Sequence, residues 1–132
     1  MDGIYLDNNA TTCVDDEVVE AMLPYFTEQF GNPSSMHQFG NRVGHALKKA
    51  RSQVRDLLGA AHDSEIIFTS CGTESDSTAI LSALKAQPAR REIITTNVEH
   101  PAVLALCEHL EKDGYKVHYL KVDVKGRLDL GA

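Results

Sequence analysis

The chain has 132 residues, 42% of them hydrophobic and 24% charged, with no low-complexity tract, so it is large enough for an ordinary core. Its formal net charge is −6 and its basic residues form no long run, which leaves no electrostatic footprint for nucleic acid or an anionic membrane. No apolar run approaches a membrane span, and there is no secretory signal.

Cys13, Cys71 and Cys107 are odd in number and widely spaced, which argues against a disulfide framework and for a reducing cytoplasm. No pair has CxxC spacing, and the six histidines form no HExxH pattern, so no structural metal site is expected.

Gly3–Asp7 reads as a short strand stopped by the polar run Asn8–Thr12. Asp15 or Asp16 then caps a helix with Val18, Val19, Met22, Leu23 and Phe26 on one face. Pro24 falls inside that pattern and predicts a kink or an early end. Gly31–Ser35 is a loop by composition.

A longer helix is predicted over 39–58. Val43, Leu47, Ala50, Val54, Leu57 and Leu58 recur at spacings of three and four, and Gly59 ends it. Its basic group Lys48, Lys49, Arg51 and Arg55 reads as one solvated face. Strand 65–69, helix 73–85, strand 92–96, helix 101–112 and strand 115–122 follow, with Gly114 ending the last helix and a turn at Lys125-Gly126. That alternation predicts an α/β fold, a mainly parallel sheet with flanking helices. Such sheets usually carry more strands, so residues 1–132 are expected to be one incomplete domain.

Two turns are placed for chemistry. In Ile66–Ser75 a buried strand enters a small polar turn and then a helix, gathering free N–H groups and the positive end of a helix dipole. Such a turn suits a phosphate, with Gly72 permitting close approach and Thr73 adding a hydroxyl. Equally, Thr73 or Ser70 is simply the N-cap of that helix. In Thr95–Pro101 a strand again ends where a helix begins, with Pro101 at its first position. If the strands are parallel neighbours, both turns lie at one carboxyl edge, and His100 faces the same crevice as Thr73. An imidazole there stacks on a flat ring or moves a proton, or else only caps the helix.

The segments Tyr5–Thr12, Phe30–Ser35, Phe68–Asp76 and Val98–Val103 resemble, in order and spacing, successive signatures of the cysteine desulfurases of the NifS/IscS type. The likeness runs from Ile4 to Gly126-Arg127-Leu128-Asp129 and corresponds to about the first third of such an enzyme. It implies part of the large domain of a fold-type I enzyme that uses pyridoxal 5′-phosphate (PLP) and works as a cytoplasmic homodimer. Carried over by position, Gly72 and Thr73 match the turn holding the PLP phosphate. His100 matches the histidine that stacks on the pyridine ring and assists proton transfer. The segment 7–12 lies near the active site in the family, and His37 falls in a family-like loop where a structural role is equally open.

The implied reaction converts L-cysteine to L-alanine and leaves the sulfur as a persulfide on an enzyme cysteine. The sulfur then goes to a sulfur acceptor or iron–sulfur scaffold protein, with iron–sulfur cluster assembly and its metal-binding partners, nitrogen fixation and tRNA thiolation all left open as its destination. The Schiff-base lysine and the persulfide cysteine belong to later segments of the family, so this segment alone is not expected to turn over. Cys71 stands where the family carries glycine or another small residue, and Cys107 reads as a small buried hydrophobe. Two other readings compete: a naturally short, non-catalytic dimerisation or regulatory module, or a relative such as a selenocysteine lyase or class V aminotransferase.

Overall fold

A computed structural model describes residues 3–128. Met1, Asp2 and 129–132, including the end of the family-like segment at Asp129, lie outside the described residues. The chain divides into two compact units, Met1–Ile67 and Phe68–Ala132.

The first unit is helical. Helix α1 spans Asp16–Thr27, and the Asp15 side chain caps it by accepting from the Glu17 N–H. Pro24 does not itself end α1, which continues one turn further to Thr27. A proline ring removes one ladder donor, but only one turn follows it, and the Pro24 carbonyl accepts from the Glu28 and Gln29 N–H groups at 2.9 and 2.8 Å.

Helix α2 spans Gln38–Leu58, as its periodicity predicted. His37 is its N-cap, with Nδ1 accepting from the Gly40 N–H at 3.2 Å, so it has a structural part in starting α2. Gly59 closes α2 in the left-handed region at φ 70. Its N–H bonds the Asp56 carbonyl, and the Ala60 N–H bonds that of Arg55, the paired closure that glycine makes possible. The loop before α2 packs on its first turn. A Cβ on buried Gly40 would lie 2.5 Å from the Asn32 carbonyl oxygen and nearer still to that of Ser35.

Two expectations fail in this unit. Gly3–Asp7 forms no strand, because no ladder partner meets it, and Ile4 and Leu6 are exposed. The residues after it form a turn instead: the Ala10 N–H bonds the Asp7 carbonyl, and the Tyr5 hydroxyl lies 2.9 and 3.0 Å from the carbonyls of Asp7 and Thr11. The strand predicted over 65–69 is also absent. Asp63–Glu65 is a 3₁₀ turn, the Ile66 N–H bonds the Asp63 carbonyl, and the Ile66 carbonyl accepts from Arg51 Nη1. Both ladder groups of Ile66 are thus used locally, although its backbone is extended and its side chain buried.

The basic face of α2 is correspondingly less solvated than its composition suggested. Arg55 Nη1 donates to Asp63 at 2.8 Å, and Ser52 Oγ lies 3.0 Å from the same carboxylate. Arg51 and Arg55 therefore tie α2 to the turn that follows it.

The second unit holds helix α3 (Gly72–Ala86), strand β1 (Glu92–Thr96), helix α4 (Pro101–Lys112) and strand β2 (Lys116–Leu120). β1 and β2 pair in parallel, from Glu92 opposite Lys116 to Thr96 opposite Leu120. β2 stops short of the predicted range; Val122 instead forms an antiparallel bridge to Leu128 across a turn closed by Gly126 N–H to the Asp123 carbonyl. Helix α4 packs against both α3 and β2. Its buried side carries Cys107 and Leu110, which are 1% and 3% exposed, and these form the centre of the unit. Gly114 ends α4 at φ 83 with the same paired closure as Gly59. The fold class is therefore the expected α/β arrangement, with two strands in register where three were predicted among these residues.

Candidate functional site

Helix α3 starts differently from its neighbours. In α1, α2 and α4 the N-cap side chain accepts a first-turn N–H: Asp15 from Glu17, His37 from Gly40 and His100 from Ala102. In α3 the N-cap is Cys71, extended at φ −166 and ψ 171, and it makes no such bond. Neither Ser70 nor Thr73 is the cap, as the sequence had left open; Thr73 is the second residue of the helix.

The turn is fixed instead from inside the helix. Glu74 Oε2 accepts from the Ser70 N–H at 2.6 Å and from the Ser70 hydroxyl at 2.7 Å. The Thr69 and Ser75 hydroxyls lie 2.5 Å apart, each within reach of the Cys71 carbonyl. The Ser70 bonds hold the Glu74 carboxyl below the ordinary glutamate range, so this clasp persists on mild acidification and is lost as pH falls through that lowered value.

First-turn N–H groups have no acceptor within their own helix, so the donors at Gly72 and Thr73 are left by this capping for an anion. A Cβ on Gly72 would meet nothing within 4 Å, and the Gly72 and Thr73 side of the turn is exposed. The helix dipole, these donors and the Thr73 hydroxyl together suit a phosphate group.

Cys71 shares this end of α3. The nearby Glu74 N–H, then the Ser70 hydroxyl, then the Thr73 N–H hold its thiol below the usual pKa, although no backbone donor reaches ordinary hydrogen-bond geometry with the sulfur. Cys107 is shifted the other way, chiefly by burial and then by Glu111 and Glu99. Alkylation with iodoacetamide at neutral pH is thus expected to modify Cys71 at least tenfold faster than Cys107, with Cys71 reacting from lower pH. Peptide mapping after timed quenching reads this directly, and equal rates would contradict the assigned environments.

His100 is the N-cap of α4, its Nδ1 accepting from the Ala102 N–H at 3.1 Å. As an acceptor Nδ1 carries no proton, which puts the proton of the neutral ring on Nε2. His100 follows the carboxyl end of β1, where the Asn97 N–H extends the pairing to the Leu120 carbonyl at 3.0 Å. Glu99, just before it, accepts from the Thr96 hydroxyl at 2.9 Å.

The structure brings the expected residues together only in part. Gly72, Thr73 and His100 stand at the starts of α3 and α4, two helices packed in one unit. No hydrogen bond or ring contact among the described residues joins them. The shared carboxyl edge holds for His100 alone, because no strand precedes α3. The Asp7–Thr12 segment belongs to the other unit. Sequence reasoning passed over the pairing of Ser70 with Glu74; the signal was a glutamate three residues after the cap, the capping-box position, following a cap that lacks a hydroxyl. No group of three or more His, Cys, Asp or Glu among the described residues is arranged to hold a metal, and no helix there is long and apolar enough to cross a membrane.

Residues 4–132 match the aminotransferase class-V family, and the chain belongs to it. That family works with PLP, and the uncapped start of α3 fits its phosphate. Within it, the chain is 75% identical over 130 residues to the cysteine desulfurase NifS of Azotobacter vinelandii, a match covering 98% of this chain and 32% of that protein. Among solved structures it superposes on a NifS-like protein with a TM-score of 0.88 at 43% identity, over 96% of this chain and 35% of that one. A second, SspA in complex with cysteine, gives 0.79 at 39% identity over 87% of this chain and 33% of that one. The chain thus spans about a third of the length of the curated relatives it matches.

Proposed function

We propose that this chain is the first part of a PLP-dependent cysteine desulfurase that converts L-cysteine to L-alanine and passes the sulfur on through an enzyme cysteine. The 75% identity to NifS across 98% of the chain carries this reading, and the cysteine complex of SspA supports the choice of substrate. The Gly72 and Thr73 N–H groups and the Thr73 hydroxyl hold the PLP phosphate at the start of α3. His100 lies against the cofactor ring, with Nδ1 committed to the Ala102 N–H, so that Nε2 is the atom that moves a proton. When bound, PLP supplies the electron sink for the carbanionic stage of the reaction.

This segment supplies neither the lysine that carries PLP nor the cysteine that receives sulfur. Lys85 and Lys112 lie in the last turns of helices, where the dipole favours their charge, and Cys107 is buried. The enzyme works as a cytoplasmic homodimer and hands its sulfur to an iron–sulfur scaffold protein, with nitrogen fixation the process that the likeness to NifS favours.

Two measurements test this. The native-length polypeptide carrying the segment, loaded with PLP, is expected to form alanine and sulfide from L-cysteine under reducing conditions. Activity on selenocysteine alone would move it to the lyases, and no activity on either would remove the enzyme reading. Residues 1–132 expressed alone are expected to bind a hydrophobic dye strongly and PLP weakly. Val18, Met22, Leu23 and Phe26 of α1 are exposed, as is Leu57 of α2 at 84%, and the remainder of a desulfurase would cover such surface. Sharp cooperative unfolding with tight PLP binding would count against a segment reading.

A further inference from the structure

The cap of α3 is inverted with respect to the other described helices, and the inversion has a chemical use. In α1, α2 and α4 the residue before the helix takes a first-turn N–H, which withdraws that donor from any ligand. In α3 the third helical residue reaches back out, and Glu74 takes the N–H and the hydroxyl of Ser70 at 2.6 and 2.7 Å. The turn is then held without use of the donors at Gly72 and Thr73. We infer that Glu74 is a positioning residue for the cofactor phosphate: it clamps Ser70 and so fixes the turn that carries the Gly72 and Thr73 N–H groups, neither of which its own capping consumes. The inference rests on the proposed PLP reading of this turn.

A carboxylate placed one residue from a phosphate-binding turn would ordinarily repel the ligand. Here Glu74 Oε2 takes both the N–H and the hydroxyl of Ser70, and the Thr69–Ser75 hydroxyl pair at 2.5 Å braces the same turn. Glu74 therefore acts through Ser70 and not on the phosphate.

The test compares binding of PLP with that of pyridoxal, which lacks the phosphate, by the native-length polypeptide and its variants. Loss of the clamp in Glu74→Ala is expected to reduce the preference for PLP over pyridoxal about tenfold, as one charge-assisted contact is worth. Glu74→Gln keeps an oxygen for the Ser70 N–H and should stay within about threefold of the native preference. A general structural role would instead weaken both ligands together and leave the ratio alone, which would overturn the inference. Should Glu74→Ala fail to fold, Ser70→Ala removes one of the two contacts and is expected to cost about threefold in the same ratio. Thr73→Val separates the two readings. If it lowers the preference and Glu74→Ala does not, the positioning role falls alone; if neither does, the phosphate assignment to this turn falls with it.

Discussion

Replacing Gly40 with alanine is expected to lift the loop at 31–35 off the start of α2, at a cost of about 3 kcal/mol to that local structure. In the first turn of α2, alanine would by itself favour the helix over glycine by less than the roughly 1 kcal/mol of a helix interior. That gain is outweighed, because the added Cβ would lie 2.5 Å from the Asn32 carbonyl oxygen and within 2.9 Å of the Ser35 Cβ. Backbone atoms cannot swing away as a side-chain tip can, so the loop itself must move. Gly31 is subject to the same constraint from the other side, since a Cβ there would come 2.9 Å from the Gly40 nitrogen. Limited proteolysis of the native-length protein reads the effect: cleavage within 31–35 should rise about a hundredfold in Gly40→Ala, the open population expected for that cost. Unchanged cleavage would mean that the loop and helix are not locked together at this contact.

A comparable loss is expected from Leu110→Ala, about 3 kcal/mol, because Leu110 is 3% exposed and little else fills the centre of its unit. Cys107→Ser should cost less, about 1–2 kcal/mol, by placing a hydroxyl where the buried thiol is only 1% exposed. The two residues lie three apart on α4, so the double variant should fall short of the sum. Amide exchange of β2, the strand against which α4 packs, is the measurement. Native-like protection there in Leu110→Ala would show that the sheet draws its stability from elsewhere.

Which parts of this molecule could be read from its sequence follows from where each element finds its partners. Helices satisfy their own backbone, so α2 was legible from Val43, Leu47 and Val54 and from the terminating Gly59, and α4 from Pro101 at its start and Gly114 beyond its end. Strands depend on a neighbour. β1 was legible to the residue because β2 meets it in register, whereas the equally β-branched Ile66-Ile67 stretch gives no ladder: Asp63 and Arg51 take both backbone groups of Ile66. The site divides along the same line. Gly72, Thr73 and His100 were marked by their places at helix starts, which are local facts. The clamp by Glu74 was missed because its partner, Ser70, lies outside the helix, and the cap between them is a cysteine without a hydroxyl. The arginines of α2 were misread for a related reason, since nothing in a helical repeat announces that Asp63 returns to meet Arg55.

The register of β1 against β2 also bears on how the chain acquires its shape. Glu92 pairs with Lys116, so the whole ladder forms once a short connection, most of it the helix α4, brings its ends together. The entropy lost in closing a loop grows only slowly with its length, and a helix that forms in under a microsecond shortens the effective span further. The cation–π contact of Arg91 on Tyr115, 4.3 Å from the ring centre, and the Arg91 bond to the Asp113 carbonyl at 2.7 Å fasten the open end of that loop. Among the described residues, every pairing partner of this strand pair therefore lies within 91–120, so its ladder calls on no residue synthesised after β2.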